Sequence, residues 1–208
     1  MGEIRLVERD YLIFRELERW RVLLGRHIKT VAGFSGQRAC DRRLSKLIET
    51  GYVERKKILY GVPAIYKNTY RAKQSIHVTG GQEKIRTEQI IHDIEVIETA
   101  IYFNKSGTAF SDMTTEKQLH MTDGFSNRNH RPDFIFTKDN KKTCVEIELS
   151  LKSKHRLESI IKANFLEYDF QIWVVPNTNP RVVKILKENE TLYPNIEILE
   201  LSEVYNCQ

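Results

Sequence analysis

Asp133, Glu146, Glu148 and Lys152 are the residues of this chain whose types and spacing could do chemistry. Asp133 lies in the run RPDFIF (131–136), and the other three lie in TCVEIELSLK (143–152). Both runs are strand-like. In an extended chain alternate side chains share a face, so Glu146, Glu148, Ser150 and Lys152 are expected to point one way and Val145, Ile147, Leu149 and Leu151 the other. Two carboxylates beside a third on the preceding strand repel one another unless a cation sits among them. Mg2+ or Mn2+ held by hard carboxylate oxygens can supply what phosphodiester hydrolysis needs: an activated nucleophile, a neutralised phosphate and help for the leaving oxygen. On this reading Asp133 and Glu146 are the primary metal ligands. Glu148 is a further ligand or the base that orients water, and Lys152 stabilises negative charge developing on the phosphate. The competing reading of each acid is a solvated surface carboxylate, and His130 is read as a turn residue rather than a ligand.

These residues need a scaffold, and the sequence supplies one. A long helix is expected from Gln82, with Ile90, Ile94, Ile97 and Ile101 in a seam at helical spacing, ending near Asn104 to Gly107. A short strand around 108–110, a polar segment to His130 and the two motif strands follow. Next come a helix over about 153–168, the buried strand FQIWVVP, a helix over 180–189 and a last strand over 195–201. Helices alternating with strands in this way predict an α/β sheet with helices on its faces.

The chain before this region reads differently. Glu8 to Trp20 carries Tyr11, Leu12, Phe14, Leu17 and Trp20 at amphipathic spacing, and a second short helix is expected over Leu23 to Ala32. In QRACDRRLSKLIETG a third helix sets Cys40, Leu44, Leu47 and Ile48 on one face and Gln37, Arg38, Asp41, Arg42, Ser45 and Lys46 on the other, closing at Gly51. Tyr52 to Leu59 and Ala64 to Tyr70, joined through Gly61-Val62-Pro63, read as a hairpin. Three helices and a hairpin make a winged helix-turn-helix. In that motif the third helix enters the major groove and the wing neutralises phosphates. Gln37, Arg38 and Arg42 are then the candidates for base contacts, with Lys46, Arg55, Lys56, Lys57 and Lys67 for the backbone. Winged helices also serve as protein-binding modules, which is the alternative use of this face.

Composition supports a division into two domains, 1–75 and 76–208, with the Gly80-Gly81 region as the junction. Residues 1–73 hold 17 Lys+Arg against 8 Asp+Glu, a balance of +9, and the remainder holds 16 against 20, a balance of −4. Charge asymmetry of this kind suggests a polyanion partner for the basic part. No apolar stretch approaches the roughly 20 residues of a membrane span, and the N-terminus lacks the apolar core of a signal peptide. The chain therefore reads as cytoplasmic. Cys40, Cys144 and Cys207 are far apart, without zinc-site spacing, and read as reduced thiols.

The order of elements and the spacing Asp-x12-Glu-x-Glu resemble the PD-(D/E)XK nuclease superfamily. Pro132-Asp133 supplies the PD and Glu146 the second acid, while Glu148 stands where that superfamily usually has lysine. Lys152 is either a displaced substitute or the start of a helix. With the N-terminal winged helix, residues 8 to 175 resemble the replication-relaxation family of plasmid and conjugative-element proteins, and within it the MOBC class of relaxases. The resemblance is carried by His92-Asp93, Thr115-Glu116 with Leu119, His130-Arg131-Pro132-Asp133, Glu146 to Ser150 with Lys152, and the helix from Arg156-Leu157 to Tyr168.

The resemblance implies recognition of a plasmid or mobile-element origin in double-stranded DNA and metal-dependent nicking there, with Glu116 completing the metal shell and His92 a further site residue. Relaxosome or replication proteins and a second copy of the chain are the candidate partners. The second functional class is a DNA-binding accessory or transcription regulator whose nuclease-like domain serves for partner binding or dimerisation. Tyr168 or Tyr66 as a covalent nucleophile is a further alternative, although nothing in the local sequence activates either.

Overall fold

The computed structural model describes residues 4–58, 60–61, 63–79, 86–123, 130–150 and 152–206, without the side chains of Thr87, Glu88 and Asp123. Gly80-Gly81, the residues 82–85 expected to open the long helix, Leu151 and Cys207 lie outside these. The chain is mixed α/β and forms two compact units, Met1–Ile97 and Glu98–Gln208. The division falls at Ile97/Glu98 rather than at 75/76. The reason is packing: Ile90 and Ile94 of the long helix join Val22, Leu24 and Ile65 in one buried cluster.

In the first unit α1 (Glu8–Arg19) is followed by β1 (Leu23–Leu24), α2 (Gly25–Val31), α3 (Gln37–Glu49), β2 (Val53–Lys56), β3 (Ile65–Asn68) and α4 (Tyr70–Ser75). The expected second helix begins two residues late because Leu23 and Leu24 pair with Tyr66 and Ile65, making a three-stranded antiparallel sheet of order β1-β3-β2 in place of a two-stranded hairpin. Both leucines are buried, and strand pairing satisfies backbone groups that water cannot reach. Cys40, Leu44 and Leu47 bury the inner face of α3. Burial pushes the Cys40 thiol up to about 11, so it is a small apolar packing group at neutral pH. Gly51 takes φ 75° just past α3, which its missing Cβ permits. Arg43 leaves the helix toward α1, donating through Nε to Asp10 Oδ1 at 2.7 Å, while Asp10 Oδ2 accepts the Val7 N–H at 2.8 Å.

The helix α5 (Thr87–Lys105) carries the expected isoleucine seam, all four residues buried. Beyond it the second unit holds a 3-10 turn (Phe110–Asp112), β4 (Met113–Thr115), α6 (Glu116–Asp123), β5 (Phe134–Lys138), β6 (Lys141–Ile147), α7 (Lys154–Glu167), β7 (Phe170–Val175), α8 (Pro180–Asn189), β8 (Ile196–Glu200) and α9 (Leu201–Asn206). The expected strand at 108–110 lies a few residues later as β4, and the polar segment before His130 contains α6. The sheet order is β4-β5-β6-β7-β8, with β4, β5 and β6 antiparallel and β6, β7 and β8 parallel. Asp139 and Asn140, both at positive φ, make the two-residue turn between β5 and β6.

Register assigns the two faces of this sheet. Glu146 lies opposite Trp173, which is buried with Leu157, Ile160 and Ile161 of α7 and Val182 and Leu186 of α8. Val145 lies between Phe134 and Ile172 on the other face, where Phe103 of α5 packs on Phe136 with ring centroids 5.1 Å apart. Among the described residues no helix is long and apolar enough to cross a membrane.

Candidate functional site

β6 is buried on both faces. From Thr143 to Glu148 every residue is buried, with Glu146 4 % and Glu148 2 % exposed. The expectation of one apolar and one solvent-facing side is therefore corrected: as the central strand of a five-stranded sheet, β6 has neighbours on both edges and helices over it. The solvated-carboxylate reading does not hold for these two residues. The strand also ends at Ile147, so Ser150 and Lys152 are not strand positions and do not share its alternation.

Each acid is held by named partners. Asp133, the residue before β5, accepts the Ile147 N–H through Oδ2 at 2.7 Å, which fixes it against the end of β6. Its own carbonyl accepts the Glu116 N–H at 2.9 Å and brings the start of α6 beside it. Glu146 Oε1 lies 2.5 Å from His130 Nε2 and accepts from Asn164 Nδ2 at 2.9 Å. Glu148 donates its backbone N–H to Val174 O at 3.0 Å, and its Oε2 lies 2.5 Å from Lys152 Nζ. That contact is an ion pair without hydrogen-bond alignment, since the same buried oxygen has no hydrogen-bond partner. Lys152 thus meets Glu148 from the coil after the strand, not along its face.

The electrostatics bind these groups into one cluster. Burial pushes the Glu146 carboxyl up from the carboxylate range; the His130 and Asn164 hydrogen bonds oppose this and the Asp133 charge adds to it. Burial alone would lower the His130 imidazole, but the hydrogen bond and charge of Glu146, with Asp133, outweigh burial and the Lys152 charge, so its pKa rises. Both pKa values are thus shifted upward from their ordinary values, and the two groups lie close enough to share a proton.

The remaining candidates divide. Glu116 is held beside Asp133 through its backbone, while its carboxylate lies 3.6 Å from His120 Nε2 one turn along α6. His92 is in the first unit, half-exposed, 3.9 Å from Asp93, which also faces Arg21. On α3, Gln37, Arg38, Arg42 and Lys46 are exposed, with Gln37 donating to Asp41 at 2.8 Å. Arg55, Lys56 and Lys57 are exposed at the end of β2, Lys56 pairing with Glu54 at 3.0 Å, and Lys67 on β3 is half-buried. Tyr168 is buried, and burial drives its phenol further from ionisation, which works against a role as nucleophile.

Two members of the cluster were not among the site residues read from sequence. His130, read as a turn residue, reaches Glu146. Asn164 has a signal in retrospect: it is the one polar residue in the stripe Leu157, Ile160, Ile161, Asn164 that α7 buries. Comparison with known proteins adds no identification: no protein-family model and no curated protein matches the chain.

Proposed function

We propose that this chain binds double-stranded DNA through its first unit and nicks it with metal assistance at the Asp133–Glu146 cluster, as an endonuclease or relaxase acting at a plasmid or mobile-element origin. The observation that carries this reading is the burial of Glu146 in the central strand, and of Glu148 just past its end, beside Asp133. Buried acids are rare unless they are paired, because desolvation makes them costly. The antiparallel–parallel sheet with α5 and α7 on opposite faces suits a PD-(D/E)XK core, and three helices with an antiparallel strand pair suit a winged helix.

Asp133 and Glu146, with Glu148 adjacent, offer the hard oxygens that Mg2+ or Mn2+ prefers. Among the described residues no three His, Cys, Asp or Glu side chains are grouped to cage an ion. That is compatible with Mg2+, which is commonly held by one or two carboxylates together with water and phosphate oxygens. When bound, the ion would activate water and neutralise the scissile phosphate. The chain's own residues orient the donors, and Lys152 adds a positive charge at the edge of the cluster.

A second reading, a DNA-binding accessory or regulator without nuclease activity, is favoured by a specific observation: every acid of the cluster already has a protein partner. Supercoiled plasmid bearing the element's origin separates the two. The first reading expects open circles with Mg2+ or Mn2+, none with chelator, and a loss of about 100-fold or more in Glu146→Gln and Asp133→Asn. Tight binding with no nicking in any metal establishes the second.

A further inference from the structure

We infer that His130, together with Asn164, is a positioning residue that fixes which oxygen of Glu146 faces a metal ion. The inference rests on the metal-assisted reading above and deepens it. Both hydrogen bonds to Glu146 converge on Oε1, from His130 Nε2 at 2.5 Å and from Asn164 Nδ2 at 2.9 Å, and neither reaches Oε2. The donors come from separate elements, the coil before β5 and the buried face of α7, so together they fix the side-chain torsions of a glutamate whose backbone is already held in β6.

His130 is itself anchored. Arg131 Nη1 donates to its carbonyl at 2.9 Å, and the same short segment carries Asp133, whose Oδ2 is locked on the Ile147 N–H. The segment HRPD therefore orients both acids at once: one directly through its own backbone position, the other through the imidazole. Oε2 is the oxygen left to bind. Partners of this kind, acting behind a metal ligand, typically contribute 10- to 100-fold in affinity.

The test is Mn2+ binding by calorimetry to the full chain at one fixed pH, with thermal unfolding of each variant alongside. His130→Phe keeps a ring and removes the donor; His130→Gln keeps an N–H donor near the Nε2 position. His130 is partly exposed, so both changes leave the core intact. Expected are a 10- to 100-fold weaker Mn2+ dissociation constant in His130→Phe, recovery in His130→Gln, and unfolding midpoints close to wild type in both. Asn164→Ala, which also leaves Oε1 with one donor, should weaken binding in the same direction. If wild type binds Mn2+ and Glu146→Gln does not, while His130→Phe binds as wild type, the positioning role is overturned and the metal-assisted reading stands. His130→Gln as weak as His130→Phe would likewise overturn it. Absence of Mn2+ binding in wild type overturns the underlying reading, and this inference with it.

Discussion

Glu146 combines an unfavourable position with favourable partners, and pH should reveal the balance. Because burial raises its carboxyl, and Glu146 in turn raises the His130 imidazole, the folded chain holds more protons on this pair than the unfolded chain does. Stability contributed here is fully present below the ordinary carboxyl range and is lost as pH rises through the raised values of the two groups. Unfolding free energies from urea titrations between pH 5 and 9 should fall with rising pH, by at most about 1.4 kcal/mol per unit for each proton held, and Glu146→Gln should flatten the slope. A slope unchanged by that substitution would mean the pair is not where the protons are held. The sequence singled out Glu146 but misplaced its environment. Alternation reports which side chains share a face, and only the neighbouring strands and α7 determine that this face is covered.

At the scale of elements, α3 shows how a single helix serves two purposes. Its outer face carries Arg38, Arg42 and Lys46, while Arg43 turns back to the fully buried Asp10 of α1. Arg43→Ala would leave that carboxylate buried with only the Val7 N–H, and should cost about 2–3 kcal/mol in urea denaturation. A loss under 0.5 kcal/mol would mean water replaces the guanidinium. Helical periodicity separates apolar from polar positions and so located the inner face of α3. It does not distinguish an arginine aimed at solvent from one aimed at a buried acid 33 residues away. The same limit explains β1: two leucines after α1 fit a helix or a strand locally, and their pairing with β3 decides.

The whole molecule distributes its charge unevenly, +9 over residues 1–73 and −4 over the rest, so the DNA binding proposed for it should be strongly salt-dependent. Arg38→Ala or Arg42→Ala should relax discrimination between origin and unrelated DNA by about 1–3 kcal/mol. Lys57→Ala should weaken both equally and reduce the log–log salt slope by about 1. Lys57 is preferred over Lys56 for this measurement because Glu54 already pairs with Lys56. Equal loss of affinity and specificity in all three variants, or none, would remove α3 and the β2–β3 strands as the DNA-reading surface.

The sequence by itself determined most of the elements and their order, though not β1, α4, α6 or α9, together with the isoleucine seam of α5, the basic face of α3 and the position of the paired acids, because each follows from local periodicity and residue chemistry. The tertiary structure alone decided that β6 is covered on both sides, that Lys152 meets Glu148 from a coil, and that His130 and Asn164 converge on one oxygen of Glu146. It also set the division between units inside α5. The two contacts with Glu146 join groups that strand register and helix docking bring together across 16 and 18 residues of chain, and no local pattern encodes such distances.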